Sequence, residues 1–214
     1  MRVCSKFAPS LLSVVLLAGC AAGRSVVPAG IDAGENPAEG RVVRIEQVVD
    51  ARSFTAAPPS PEMPSLMNAD EIGNSSITAR AIGRKRGGFG NALGDVLLPE
   101  GRSVSQLVES AVARALRESG YRVVGAGDPG HAQALPVNVR VDKFWSWFTP
   151  GFASVTLECQ ADVFLSGQIA PLTAGRAVTA AGEKHMQAVF EDDWRQIVNV
   201  CLQQLATAVK TALH

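Results

Sequence analysis

Residues 1–20 divide the chain before any folding pattern is weighed. Arg2 and Lys6 put positive charge at the start, and an apolar run over 7–17 comes next, interrupted by Pro9, Ser10 and Ser13. Leu17 and the small residues Ala18 and Gly19 then lead to Cys20. The run is too short to cross ~30 Å of hydrocarbon as a finished helix. A basic start, a short apolar stretch and a small-residue end are the layout of a secretory signal, which takes no part in the fold. Residues 1–19 are therefore set apart as a signal peptide, and the folded body is built from Cys20 onward.

That body has 195 residues, enough for one domain with a tail or two small domains. The full chain carries 20 basic and 20 acidic side chains; losing Arg2 and Lys6 leaves 18 against 20, a formal charge of −2. This balance argues against a nucleic-acid partner, which calls for a basic stripe. After the signal no stretch approaches roughly 18 continuous apolar residues, so no spanning helix is expected.

Leu17-Ala18-Gly19-Cys20 resembles the lipobox of bacterial lipoproteins. The resemblance implies cleavage before Cys20, whose sulfur carries diacylglycerol, and hence a membrane partner reached through lipid. Ala21 stands after the cysteine, where aspartate marks inner-membrane retention in enterobacterial lipoproteins. Its absence resembles the outer-membrane class and implies an outer-membrane lipoprotein facing the periplasm. Residues 20–40, rich in Ala, Gly and Pro, read as a flexible tether that would span ~25 Å on average as a coil. Residues 41–214 then form a single domain.

Within 41–214, Val42, Val43, Ile45, Val48 and Val49 form a β-branched strand signal. Residues 56–76, with four prolines, read as a long loop, and 76–82 as a second strand. Ser103 and Gln106 form a capping box at the start of a helix. Val104, Leu107, Val108, Ala111, Val112, Ala115 and Leu116 make its apolar face, and Gly120 is placed to end it. A short strand over 121–124 comes next. Alternation predicts strands over 135–144 and 153–165, joined as an antiparallel hairpin, and another over 178–186. Asp193, with Gln196 in the box position, caps a last helix whose stripe includes Trp194, Ile197, Val198, Cys201, Leu202 and Leu205. The expected architecture is α+β: a mainly antiparallel sheet with two amphipathic helices packed on one face.

Two surfaces stand out as candidate contact sites. The segment 143–152 concentrates Phe144, Trp145, Trp147, Phe148 and Phe152 at the hairpin tip. Aromatic residues with a polar end favour interfaces and headgroup zones, although such residues also close over core ends. Trp147 is expected to face outward. The second surface is Arg84-Lys85-Arg86-Gly87-Gly88-Phe89-Gly90 with Asp95 beyond it. Bare backbone N–H groups between basic flanks can hold phosphate. The spacing matches neither G-x-x-x-x-G-K-[ST] nor G-x-G-x-x-G, so a glycine turn with solvated basic residues is the weightier reading. The expected partner-binding residues are Arg84, Arg86, Phe89, Asp95, Trp145, Trp147 and Phe148.

Of the four cysteines, Cys4 leaves with the signal and Cys20 is consumed by lipid. Cys159 and Cys201 both point into the core, where a disulfide and two packed thiols are equally compatible with the pattern. No C-x-x-C motif or Cys/His cluster is present, so no metal or other cofactor is expected. His131, His185 and His214 are scattered, and no G-x-S-x-G elbow exists. Glu191, Asp192 and Asp193 sit where acids complement a helix N-terminus. No position is expected to be catalytic.

Residues 83–90 (GRKRGGFG), 93–98 (LGDVLL) and a helix ending Leu116-x-x-x-Gly120-Tyr121 resemble the YajG-like family of small bacterial lipoproteins, over roughly residues 40–210. Gly87 stands where that pattern has asparagine. The resemblance implies an envelope lipoprotein. The function expected is a non-catalytic binding or scaffold module with an envelope protein partner. The alternative is an auxiliary lipoprotein of an envelope transport system for lipid or small molecules, which requires an apolar pocket between sheet and helices.

Overall fold

The computed structural model describes residues 23–87, 91–152 and 154–214. Strands are β1 (Ser25–Val26), β2 (Val42–Asp50), β3 (Ala81–Arg86), β4 (Ala92–Leu97), β5 (Arg122–Val123), β6 (Leu135–Pro150), β7 (Val155–Gly167) and β8 (Arg176–Met186). Helices are the single turn α1 (Ser75–Thr78), α2 (Val104–Glu118) and α3 (Glu191–Ala212). The capping box forms as the sequence predicts: Ser103 Oγ accepts from Gln106 N, and Gln106 Oε1 accepts from Ser103 N. Gly120 takes the left-handed conformation after α2, with φ of 84°. The last helix starts earlier than expected. Asp193 lies inside it, and its carboxylate accepts from the Phe190 backbone N–H at 2.9 Å.

The sheet overturns the expected architecture. It is mixed: β1–β4, β2–β5, β2–β6 and β3–β6 are parallel, while β3–β4, β6–β7 and β7–β8 are antiparallel. Nor do two equivalent helices cover it. One long helix, α3 with 22 residues, crosses β7 and β8, and the 15-residue α2 lies beside it. Parallel pairing needs a long crossover, usually through a helix. The connection from β2 to β6, through β3, β4 and α2, supplies one. Alternation in a sequence reports strands but not their direction.

Strand β6 is the spine. One edge pairs with β7 along nearly its full length. The other edge pairs first with β2, as far as Val141, and then with β3 at Ser146. A register shift between Val141 and Lys143 marks the change of partner. Val137, Val139, Val141 and Phe144 therefore belong to the main core under the helices, whereas Trp145 and Trp147 fall on the opposite face.

That second face is covered by residues 51–80, which are far from structureless. Phe54, Leu66, Ile72 and Ile77 close over Trp145, Ala81 and Leu97. The 76–82 segment is split between α1 and the start of β3 rather than forming one strand. The cover is pinned by Arg52, whose side chain is fully buried. Its Nε and Nη2 grip Asp50, each at 2.8 Å, while the remaining N–H groups donate to the carbonyls of Thr78 (2.7 Å), Ala81 (2.6 Å) and Phe144 (3.1 Å). All five guanidinium donors are satisfied, at the point where β6 changes partner.

The expected tether is also built into the fold. β1 pairs with β4, Val27 and Ala29 are buried, and Ile31 and Ala33 pack on the core. Arg117 donates to the Ala33 and Gly34 carbonyls, and the Asn36 side chain bonds both backbone groups of Val123. From Gly23 onward the N-terminal segment is anchored to the domain.

Cys159 and Cys201 are both buried free thiols in this structure. A hydrogen bond with Cys159, together with burial, pushes the Cys201 thiol well above its ordinary pKa. Both thiols should therefore resist maleimide in the native mature protein and react once it is unfolded without reductant. Failure to react until a reductant is added would show a disulfide instead. Arg52→Met should lower stability by about 2–4 kcal/mol, because it orphans three carbonyls and an aspartate. Urea unfolding reads this out, and a loss under about 0.5 kcal/mol, the range of ordinary surface changes, would contradict the clamp.

Candidate partner-binding site

Gly83 abuts Trp194 of α3, so the strand alternation turns Arg84 and Arg86 to the face covered by residues 51–80. Arg84 stands opposite Asp95 in the β3–β4 register, and Arg86 opposite Ala92. Asp95 is only 2% exposed. It accepts from the Met67 backbone N–H at 2.7 Å and from Arg24 Nη2 at 3.2 Å, tying the cover and the N-terminal segment to β4. Arg24 also reaches Glu71 at 2.5 Å. Partial burial works against the Arg24 charge, but the bonds to Glu71 and Asp95 outweigh it and raise its pKa.

Arg84 and Arg86 are not the solvated turn residues that the sequence predicts. Arg84 Nε and Nη1 and Arg86 Nε are buried without a hydrogen-bond partner among the described residues. Arg86 makes one long contact, to Ser65 Oγ at 3.4 Å. Partial burial, and then the like charge of Arg84, lower the Arg86 pKa. Arg24 thus engages both the Glu71 and the Asp95 carboxylates, while Arg84 stands across the β3–β4 pair from Asp95.

The aromatic residues divide. Trp145 is fully buried; its Nε1 donates to the Pro61 carbonyl at 3.2 Å and its ring meets Phe54 edge-on at 5.9 Å. It lies off any contact surface. Trp147 is 8% exposed rather than outward-facing, with Lys143 Nζ 5.3 Å from its ring centroid. Phe148 lies on the opposite face and packs against the main core. Phe89 lies outside the described residues. Among the described residues, the exposed aromatics at this end are Phe152, fully exposed in the β6–β7 turn, and Phe190, just before α3. Phe190 had no sequence signal, since a lone aromatic before a helix reads as core.

Of the expected residues, Arg84, Arg86 and Asp95 therefore stand together at the partly covered β3–β4 edge, while the tryptophans pack under residues 51–80. A second concavity lies over the start of β2 and β5. It encloses about 640 Å³ and is lined in part by Glu46, Glu109, Arg117, Asp128 and His131. Arg117 is occupied by the N-terminal segment. The lining mixes these groups with Ile45, Val123 and Val124, so it is less apolar than the pocket an acyl-chain carrier requires. His185 lies apart, hydrogen-bonded to Thr156 across β7–β8, and His214 is the final residue.

No family model matches the chain, and no curated protein matches it. Among solved structures it is similar to a Xanthomonas campestris protein of family DUF330, at 13% identity and a TM-score of 0.41, covering 89% of this chain and 93% of that one. An uncharacterized protein matches at 10% identity and a TM-score of 0.42, covering 90% and 99%. A minor lipoprotein from Acinetobacter baumannii matches at 15% identity and a TM-score of 0.30, covering 49% of this chain and 81% of its own. Likeness this distant assigns neither fold family nor function.

Proposed function

We propose that the chain is a lipid-anchored lipoprotein of the bacterial cell envelope, held through Cys20 to the periplasmic leaflet of the outer membrane. There it acts as a non-catalytic binding or scaffold module. The lipobox-like Leu17-Ala18-Gly19-Cys20 supports the anchor, and Ala21 supports the outer-membrane placement. The resemblance of 83–98 to the YajG-like lipoproteins points the same way, although no family model matches. Among the described residues no helix is long and apolar enough to cross a membrane.

The observation that carries the reading is the seating of the N-terminal segment. Gly23 N donates to the Leu93 carbonyl at 2.6 Å, and β1 begins two residues later. Two residues, Ala21 and Ala22, lie between Cys20 and Gly23, so the three steps span at most ~11 Å of extended chain. A lipid at Cys20 thus holds the body against its membrane instead of letting it roam on a leash. The cleft over β2 and β5 lies at the other end of the sheet, open to an envelope protein.

Growth with labelled palmitate should label the wild-type protein and place it in the outer-membrane fraction. Cys20→Ser should lose the label and leave that fraction. Equal labelling of the two, or label in neither, would overturn the anchor.

A further inference from the structure

The register of the sheet puts several features at one end. β3 runs parallel to β6 and pairs with it at Gly83–Ser146, so Arg86 stands near the level of Thr149, beside the β6–β7 turn. Gly94 pairs with Lys85 of β3, and Gly23 lies against Leu93 and Gly94. The chain therefore enters the fold at the end that bears Phe152, Phe190 and the two arginines with N–H groups left unsatisfied among the described residues. Two strand spacings separate Gly23 from β3, about 10 Å. Adding the ~11 Å of chain to Cys20 leaves the anchor within about 20 Å of Arg84 and Arg86.

We propose that this end of the sheet is a membrane-apposed surface, in which Arg84 and Arg86 bind the phosphate of an anionic phospholipid in the leaflet that holds the anchor, while Phe152 and Phe190 rest at headgroup depth. The inference builds on the lipid anchor at Cys20. Arginine guanidinium groups recognise phosphate by charge-assisted, often paired, hydrogen bonds. Here two of them, side by side on one strand face, carry three buried N–H nitrogens that no described residue satisfies. Leaving such donors unmade is costly, and the neighbouring Asp95 carboxylate already binds Arg24 and the Met67 N–H. A phosphate placed between them satisfies the donors and relieves the repulsion between like charges. Exposed phenylalanines at the same end of the sheet suit the interface of a bilayer.

The test uses the full lipidated chain in detergent micelles, with thermal unfolding followed by tryptophan fluorescence. Phosphatidylglycerol mixed into the micelles should raise Tm by about 5 °C over the same amount of phosphatidylcholine. Arg84→Gln with Arg86→Gln should abolish that difference, and Arg140→Gln, an exposed arginine elsewhere on the sheet, should keep it. If the double Gln variant does not fold, Arg84→Lys with Arg86→Lys should fold and retain half the difference or less. Equal shifts from the two lipids, or a difference that survives the double variant, would overturn the proposal. So would inorganic phosphate giving the full shift in phosphatidylcholine micelles, which would make this a site for free phosphate. Because every variant keeps Cys20, loss of the lipid preference with palmitate labelling intact refutes this site and leaves the anchor standing.

Discussion

The pairing of Ser25 and Val26 with the edge of β4 fixes where the chain enters this domain. It converts a stretch with the composition of a linker into a structural strand with a fixed exit. Two features hold it there. Gly94, with φ of 153°, leaves no Cβ to collide with the Gly23 carbonyl. Asp95 binds Arg24 from the buried side. Without that seam a lipid at Cys20 would sit on a coil of some twenty residues and say nothing about orientation. With it, the chain enters the fold at one defined end of the sheet, the end that the proposed anchor would turn to the membrane.

A second constraint makes the seam meaningful. β6 serves two partners along one edge, and Arg52 joins the segments that meet at the changeover: the end of β2, the turn of α1, the start of β3 and the bulged part of β6. This junction carries β3 and β4 up to the turn end of the sheet. It also turns Trp145 and Trp147 away from the helices, so that they become the floor under residues 51–80.

Much of the local structure is legible in the residues. The Ser103–Gln106 box, the Gly120 stop and the apolar stripes of α2 and α3 depend on neighbours a few positions apart, and each can be read directly. Strand direction, the shift between Val141 and Lys143, and the role of Arg52 depend on groups up to 92 residues away, so no local pattern reports them. The same holds for the site. Arg84, Arg86 and Asp95 were visible as a basic, glycine-rich motif, but their burial was not, because the cover that creates it comes from a proline-rich stretch resembling an open loop. Composition likewise misdescribed residues 23–36, whose small side chains suit close packing as well as they suit flexibility. The aromatic cluster at 144–148 was dispersed by one bulge, leaving Phe152 and Phe190 as the exposed pair.

On the proposed anchor, one end of the sheet faces the bilayer at close range. Nitroxide labels carried by Phe152→Cys and Gln168→Cys in the lipidated protein, reconstituted in vesicles, measure it directly, because the two positions mark opposite ends of the 16-residue β6 and lie about 50 Å apart. Power-saturation depth measurements should place the label at 152 within about 10 Å of the lipid phosphates and the label at 168 in bulk water. Two labels equally open to a water-soluble relaxant would contradict the account, and so would a deeper label at 168.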